Sequence, residues 1–257
     1  CSLRVIGLSQ QLRDFVSGLG VPYRCESSVK IYAGHFSEER FLLSVSRSCL
    51  TPGCRKKILA WLLERHFPEA DRVWFERSWE QAQFLHFGYE QFGCAVMLKV
   101  YFEYAKSFYH YLQDPTKGSA LVFDALKWSQ NGESVLTQYR HKTFSTESCL
   151  WQQLGKAEEA LKPLLQRVFT VAPLEDSYVL EVTEPDNPRA SLDINCYDAR
   201  LTVSKLSAEL QAACLFKGAT QSCIESLLSK QSNRFLGHVS TGMSRSGQDF
   251  MTLYFSA

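Results

Sequence analysis

Residues 84–104, FLHFGYEQFGCAVMLKVYFEY, contain the clearest structural pattern in this chain. Two runs in which apolar and polar side chains alternate are joined by the turn sequence QFG, which is typical of a β-hairpin. In the second run Leu98 and Val100 share one face, and Lys99 and Tyr101 share the other. The stretch therefore predicts two paired strands, each with one apolar face and one face that carries polar side chains.

The same pattern recurs in four further pairs, at residues 28–47, 120–144, 177–199 and 234–255, each with a turn rich in Gly, Asn, Pro, Ser or Asp. Helical signals separate the pairs, at residues 51–67, 103–113, 147–169, 202–218 and 220–230. Thr51 with Pro52, and Ser204, are typical helix-start residues. Pro163 is expected to kink or divide the third helical stretch. The chain thus predicts repeated αββα units and ten antiparallel strands.

Strands that pair only with their sequence neighbours leave two exposed edges unless the sheet closes on itself. We therefore expect one α/β domain over residues 1–257, a ten-stranded antiparallel β-barrel surrounded by helices. Its outer face would be apolar and its inner face free to be polar. A two-layer sheet with one solvated face is the alternative, and the positions of the tyrosines count against it.

Composition excludes several classes of protein. The net charge of +1 over 257 residues provides no basic field for nucleic acid. Charged residues interrupt every apolar run well before it could span a membrane, and the start of the chain has no signal-peptide pattern, so we expect a cytoplasmic protein. The nine cysteines are irregularly spaced and include no C-x-x-C, which favours reduced, mostly buried thiols.

Four of the second strands contain the same arrangement: LKVY, LTQY, INCY and MTLY. Their tyrosines would share the face of a polar neighbour two residues earlier. Tyrosine favours strands anyway, so packing is the simplest explanation for any single one. Four in register instead suggest a ring of π-faces that stabilises a carbocation and shields it from water. These tyrosines are Tyr101, Tyr139, Tyr197 and Tyr254.

A diphosphate is the usual precursor of such a cation, and it needs fixed positive charge. Arg40 and Lys99 have the inner-face parity, with Lys30 behind them. If the sheet were not closed, Arg40 and Lys99 would simply be solvated. Glu26 has the parity of Lys30, and a carboxylate there could take the proton that a nucleophile loses on alkylation. Most glutamates at the start of a strand are merely exposed, and this alternative stays open.

These residues resemble a known family, the ABBA or PT-barrel prenyltransferases, and within it the cyanobactin-type peptide prenyltransferases. CESSVKIYAGHFSEERFLLSV follows the family's glutamate-small-Ser-x-Lys strand and its R-F-L-L return strand. VFDALKW, with the Asn131-Gly132 turn into VLTQY, resembles the third unit, and TLYF resembles the last strand.

The resemblance implies that Glu26 is the catalytic glutamate and that Arg40 and Lys99 bind diphosphate. It also implies that the four tyrosines form the cation shield, that Mg²⁺ neutralises the diphosphate of the prenyl donor, and that the barrel admits macrocyclic peptides. Where the indole enzymes of the family have basic residues, this chain has Thr137 and Gln138. That part of the diphosphate cradle would come from His141, Lys142 or Mg²⁺.

Two classes of function remain. The first is an enzyme that moves a dimethylallyl or geranyl group from a prenyl diphosphate to a peptide side chain, with a small phenol or indole as the other acceptor. The second is a non-catalytic barrel that holds an apolar or cationic ligand. A pure binding protein has no need for Glu26, Arg40 and Lys99 on the face of the tyrosines. Binding of pyrophosphate with Mg²⁺ would distinguish the two.

Overall fold

The alternating runs form β-strands in the computed structural model, which describes residues 2–32, 34–113, 119–185 and 187–256. All five predicted hairpins are present. The strands are β1 (Tyr23–Tyr32), β2 (His35–Ser37), β3 (Arg40–Ser46), β4 (Phe84–Phe92), β5 (Ala95–Glu103), β6 (Leu121–Ser129), β7 (Ser134–Lys142), β8 (Val179–Thr183), β9 (Ala190–Asn195), β10 (Leu236–Met243) and β11 (Asp249–Ser256).

The sheet closes on itself. Its strand order is β11-β10-β9-β8-β7-β6-β5-β4-β3-β1-β2, and β11 also pairs with β1. The three-residue β2 pairs with the end of β1, so the ring itself has ten strands. The predicted ten-stranded antiparallel barrel is therefore confirmed, and the open two-layer alternative is wrong. Closure gives both edges of the sheet a hydrogen-bonding partner.

The helices are α1 (Ser2–Ser17), α2 (Pro52–Leu63), α3 (Arg72–Gln81), α4 (Ala105–Gln113), α5 (Glu147–Leu154), α6 (Glu158–Phe169), α7 (Ser207–Phe216) and α8 (Gln221–Gln231). Thr51 is the N-cap of α2, with Pro52 at the first helical position, as predicted. Helices α1 and α3 were not predicted from the sequence. In α1 the signal was present, because Leu8, Leu12 and Val16 recur at a spacing of four and are buried.

Two expectations about helix boundaries are wrong, namely that Pro163 divides the third helical stretch and that Ser204 begins a helix. The third helical stretch divides at Gly155, which has a φ of 55° and caps α5, whereas Pro163 lies inside α6. Glycine enters the left-handed region without a Cβ clash, and this makes it the usual residue just past a helix end. Ser204 lies in a short 3₁₀ turn, and α7 begins three residues later at Ser207.

Contacts divide the chain into two compact units, each with its own core. The first unit comprises residues 1–26 and 39–140. Its core packs α1, α2 and α3 onto one face of β3 to β6, through side chains such as Leu43, Phe75, Leu85 and Phe102. Leu98 and Val100 belong to this core, as the alternation predicted. Lys99 and Tyr101 therefore lie on the opposite face of β5.

The second unit comprises residues 27–38 and 141–257. Its core packs α5 to α8 onto one face of β8 to β11 and the end of β1, through side chains such as Ile31, Leu165, Ile194 and Leu253. It contains the buried thiols Cys196 and Cys214, and burial raises the pKa of the latter to about 12.

The eight described cysteines are not joined by disulfides in the structure, and the expectation that most of the cysteines are buried is wrong. Only Cys54, Cys196 and Cys214 of the eight described cysteines are buried, and Cys49, Cys94 and Cys149 are exposed. None of the helices within the described ranges has the length and apolar character needed to cross a membrane.

Candidate functional site

The face of the first unit that turns away from the helices carries two of the predicted cations. Arg40 lies directly opposite Glu90 across β3 and β4, and both Arg40 and Lys99 make ion pairs with the Glu90 carboxylate. The side chains of Arg40 and Lys99 are only 7% and 9% exposed. Buried charges need a partner, and here one carboxylate serves two cations. We call Arg40, Lys99 and Lys127, with Glu90, the basic face.

Gly88 makes room for the Lys99 side chain. The two residues are partners across β4 and β5, and a Cβ at position 88 would lie 3.1 Å from the Lys99 Cβ and 3.4 Å from Cδ1 of Leu42. A contact of 3.1 Å would force the lysine to shift. The glycine therefore lets the lysine stem lie flat across the neighbouring strand.

Lys127 is a third cation on this face, and it was not among the predicted site residues. It is the partner of Lys99 across β5 and β6, and it is 5% exposed. Its Nζ lies 5.7 Å from the centroid of the Tyr139 ring, within the range of a cation–π contact. The alternation that placed Lys99 also places Lys127 on this face, because its neighbours Leu126 and Trp128 both belong to the helix-packed core.

Tyr101 and Tyr139 come together on the same face. Their ring centroids are 5.9 Å apart, and the Phe123 ring lies 5.9 Å from that of Tyr139. His86 completes this group, with its ring 6.3 Å from Tyr101. Two of the four tyrosines singled out from the sequence therefore lie together, and both residues are half-buried.

Hydrogen bonds fix the orientation of His86. Its Nδ1 is 2.7 Å from the Ser44 Oγ, and its Nε2 is 3.0 Å from the Glu103 Oε2. Ser44 and Tyr101 are its partners on the two neighbouring strands. The imidazole is therefore held edge-on to the Tyr101 ring. The Glu103 carboxylate has His86 as a hydrogen-bond partner.

Glu26 lies within β1 and is half-buried, as expected for a residue near the end of an inner face. It shares its face of the strand with Ser28 and Lys30, because side chains alternate along a strand. Lys30, in the second unit, lies with its Nζ 4.9 Å from the Phe250 ring and 5.3 Å from the Tyr32 ring. It is therefore held between aromatic rings.

The corresponding face of the second unit is aromatic. Three tyrosine rings surround the imidazole of His238, with centroid distances of 6.2 Å for Tyr178, 5.3 Å for Tyr197 and 5.9 Å for Tyr254. The Nδ1 of His238 is 2.8 Å from the Asp193 Oδ1. We call this group the tyrosine cluster. It contains Tyr197 and Tyr254, two of the four tyrosines singled out from the sequence, together with a histidine and an aspartate that were not predicted.

Tyr197 lies outside β9, and so the prediction of a strand that continues through INCY is wrong. β9 ends at Asn195, whose Oδ1 accepts a hydrogen bond from the Tyr197 N–H, and the chain then enters a 3₁₀ turn. Such a side chain–backbone bond competes with the strand ladder. The ring still joins the cluster because Gly237 leaves space for it: a Cβ there would lie 2.5 Å from the Tyr197 Cζ.

His141 and Lys142, which were expected to complete the diphosphate cradle if Mg²⁺ does not, lie at the end of β7. Burial lowers the pKa of His141, which favours the neutral imidazole. The Lys142 Nζ makes a 2.7 Å ion pair with Glu181. Thr137 is fully buried and offers no charge.

No family model matches this sequence, and no curated protein matches it significantly. The solved structures that it resembles are prenyltransferases. It superposes on 5-dimethylallyltryptophan synthase from Streptomyces coelicolor with a TM-score of 0.61 and 13% identity, covering 90% of this chain and 80% of that one.

Two further structures agree. The 6-dimethylallyltryptophan synthase from Micromonospora olivasterospora, in complex with DMASPP and Trp, matches with a TM-score of 0.61 at 12% identity, over 90% of this chain and 81% of that one. AnaPT from Neosartorya fischeri matches with a TM-score of 0.51 at 10% identity, over 90% and 77%. At these identities the likeness concerns the fold. This chain folds as the barrel of those prenyltransferases.

Proposed function

We propose that this protein is a prenyltransferase that moves a dimethylallyl or geranyl group from its diphosphate to a side chain of a macrocyclic peptide. The observation that carries the proposal is the basic face, on which buried cations lie beside Tyr101 and Tyr139. Buried guanidinium and ammonium groups fit an anionic leaving group, and aromatic rings fit the cation that it leaves behind. A carrier of neutral lipids needs neither.

In this proposal Arg40 and Lys99 bind the diphosphate. Ammonium and guanidinium groups make short, charge-assisted hydrogen bonds to phosphate oxygens. Both side chains are almost fully buried, so bulk water screens their charge little. The bond between the prenyl C1 and the bridging oxygen breaks, and the electron pair leaves with the diphosphate.

The allylic cation then meets the tyrosines. Tyr101 and Tyr139 in the first unit, and Tyr197 and Tyr254 in the second, are proposed to present π-faces that stabilise it and keep water away. The acceptor atom attacks C1, and Glu26 takes the proton that the acceptor loses, which restores charge balance. A half-buried carboxylate on the inner-face parity of β1 is consistent with this role.

Mg²⁺ would enter this site with the donor. Among the residues that the structure describes, no three His, Cys, Asp or Glu side chains are grouped as metal ligands. The guanidinium and ammonium groups of the basic face are cationic. They therefore suit phosphate oxygens and not a metal ion. A bound Mg²⁺ would neutralise charge on the leaving diphosphate.

The acceptor has two candidates. The local match of the first hairpin to the cyanobactin-type enzymes favours a peptide. The structural relatives favour an indole, since 6-dimethylallyltryptophan synthase was solved with Trp and PriB with L-tryptophan. The peptide is our first choice because it rests on matching residues of this chain.

The test is a mass-spectrometric screen. The protein is incubated with Mg²⁺ and either dimethylallyl or geranyl diphosphate, and with cyclic peptides, their linear forms, L-tryptophan or a simple phenol. We expect a mass gain of one prenyl group on cyclic peptides, with release of pyrophosphate. Prenylated tryptophan alone would replace the peptide by the indole acceptor. Absence of pyrophosphate binding and of every product would support a binding barrel instead.

A further inference from the structure

A cleft of about 660 Å³ opens on the helix-covered side of β6 and β7, outside the barrel. Asp124 lies in its floor and shares its face of β6 with Leu126 and Trp128, which belong to the helix-packed core. Phe123, whose ring contacts Tyr139, lies on the opposite face of the strand. The sheet therefore separates this cleft from the basic face and from the tyrosines beside it.

The lining of the cleft combines polar and apolar side chains. Ala120 and Leu121 provide apolar surface beside Asp124. The polar side chains come from α3, α4 and β7, and they are Arg77, Gln81, Ser107, His110 and Gln138. Small-molecule sites in proteins have this range of volume, and they combine apolar walls with a few polar groups that orient the ligand.

The Asp124 carboxyl group in the floor is hydrogen-bonded by neutral donors. Its Oδ2 accepts from the Trp74 Nε1–H (3.1 Å), and its Oδ1 accepts from the Tyr104 hydroxyl (2.7 Å). Burial raises the pKa of Asp124, and it outweighs these bonds and the charge of Arg77. The ionised form is therefore costly there, and an ammonium group bound beside it would offset that cost. Each carboxylate oxygen has two lone pairs, so both can accept a further hydrogen bond.

Arg77 supplies a positive charge at the rim. It is exposed on α3 and follows Trp74 by three residues, so the two side chains lie on the same side of the helix. Its charge reaches the floor, because it acts to lower the pKa of Asp124 and of Tyr104. A ligand with a single charge of either sign would meet one opposing group in this cleft, whereas a zwitterion pairs with both.

We propose that this cleft is a second binding site, and that it binds a free α-amino acid with its ammonium group on Asp124 and its carboxylate on Arg77. The side chain of the amino acid would lie on Ala120 and Leu121, which favours an aliphatic residue such as leucine. The site lies outside the barrel and takes no part in the proposed transfer.

The indole N–H of Trp74 is a reporter for this site, because it donates directly to Asp124. The chain has five tryptophans, so a ¹⁵N-labelled sample gives five indole signals at most, and the Trp74 signal is the one that Trp74→Phe removes. Titration with L-leucine should shift the Trp74 signal in a saturable manner. The signal of Trp151, in the second unit, is the internal control and should not move.

Two analogues of leucine test the two charges separately. Loss of the ammonium group, in 4-methylpentanoate, should weaken binding about 10–150-fold, the effect of losing one hydrogen bond to a charged group. Loss of the carboxylate, in 3-methylbutylamine, should weaken binding about 2–5-fold, because Arg77 is exposed and its ion pair is screened by water. Binding of the amine as tight as that of leucine would overturn the proposal.

The variants test the same pairs from the side of the protein. Asp124→Asn should weaken leucine binding about 10–150-fold. Arg77→Gln should make leucine and 3-methylbutylamine bind alike, because the group that distinguishes them is gone. Arg72→Gln, an exposed position on the same helix, is the matched control and should bind like the parent. If Asp124→Asn does not fold, Arg77→Gln decides, because substitution of an exposed arginine leaves the core intact.

The pH dependence of binding distinguishes a ligand-binding carboxyl group from a merely structural one. The other ionisable groups that line the cleft are Arg77, Tyr104, His110 and Tyr111, and His110→Gln is used as the background. Between about pH 4 and 7 leucine affinity should rise and then level off above the raised pKa of Asp124, because the ammonium group binds the ionised form. Asp124→Asn should show no such rise, and an affinity that is independent of pH in both would overturn the proposal.

The outcomes keep this site separate from the proposed function. Pyrophosphate with Mg²⁺, which tests the donor site of the barrel, should leave leucine affinity unchanged when it is present at saturation. If leucine shifts the Trp74 signal and no prenylated product forms with any acceptor, this site is supported and the proposed function is wrong. If leucine shifts no indole signal while a prenylated product forms, the proposed function stands and this site is overturned.

Discussion

The two units use the same strand pattern to present opposite chemistry. The first places Arg40, Lys99 and Lys127 on the face away from its helices, whereas β8 to β11 of the second contain no lysine or arginine at all. In the second unit the polar centre is a His238–Asp193 pair among three tyrosine rings. The repeated backbone motif thus fixes the direction in which side chains point. It does not fix their chemistry, and so one unit carries cations where the other carries aromatic rings.

The largest expected effect tests whether the first unit also carries the base. Glu26→Gln should lower turnover about 10²–10⁴-fold, because the amide fills the same volume but cannot accept the proton. The measurement is single-turnover kinetics with a peptide acceptor, beside calorimetry with the thiolodiphosphate analogue. Donor affinity should stay that of the parent. Full activity of Glu26→Gln would show that Glu26 is not the base, and a hydrogen-bonding role in the sheet would then explain it better.

The next effect tests whether donor binding belongs to the basic face. Lys99→Ala should weaken binding of the donor analogue by about 1.5–3 kcal/mol while peptide binding changes little. Tyr254→Phe, in the tyrosine cluster, is the matched control and should retain donor affinity. Equal donor affinity in Lys99→Ala and the parent would mean that the lysine only balances Glu90.

A smaller effect should appear when the second unit is altered. Tyr197→Ala or Tyr254→Ala removes one ring, and cation–π contacts are worth about 0.5–2 kcal/mol. Water should then capture more of the cation, which raises the ratio of prenyl alcohol to prenylated peptide. Chromatography of both products measures that ratio. The Phe variants keep a ring and should keep the parent ratio, and a ratio unchanged in the Ala variants would remove these residues from the shield.

The smallest expected effect concerns the helix-packed core of the first unit. Asp124 is buried there, with hydrogen bonds from the Trp74 Nε1–H (3.1 Å) and the Tyr104 hydroxyl (2.7 Å). Burial raises the pKa of Asp124. The folded state then holds the proton more tightly than the unfolded chain, so this residue's stabilising contribution falls as pH rises from the unfolded value of about 4 through the folded pKa.

Asp124→Asn removes this titration and keeps an oxygen that accepts one of the two hydrogen bonds. As pH rises from about 4 toward neutrality, the parent should lose stability that the variant keeps. The free energy of unfolding of the variant minus that of the parent should therefore increase. Urea denaturation at several pH values measures the difference. A difference that is independent of pH would show that the carboxyl has the same pKa in both states.

Much of the fold could be predicted because strand alternation is a local property. The hairpins, the closure and the face of Lys99 all follow from it. Contacts between strands are not local, and so the shared use of Glu90 by two cations and the ring of tyrosines around His238 were missed. Lys127 was within reach of the parity argument. Tyr197 was misplaced because the Asn195 side chain, two residues earlier, ends the strand with its own hydrogen bond.

The close approach of Tyr197 to Gly237 has a consequence for how this sequence can change over time. The three atoms nearest to where a Cβ of residue 237 would be all belong to the Tyr197 side chain, and the first of them is 2.5 Å away. A replacement at 237 is blocked while the ring is present, and removal of the ring opens it. The two positions are therefore coupled by epistasis, and related sequences should vary at both or at neither.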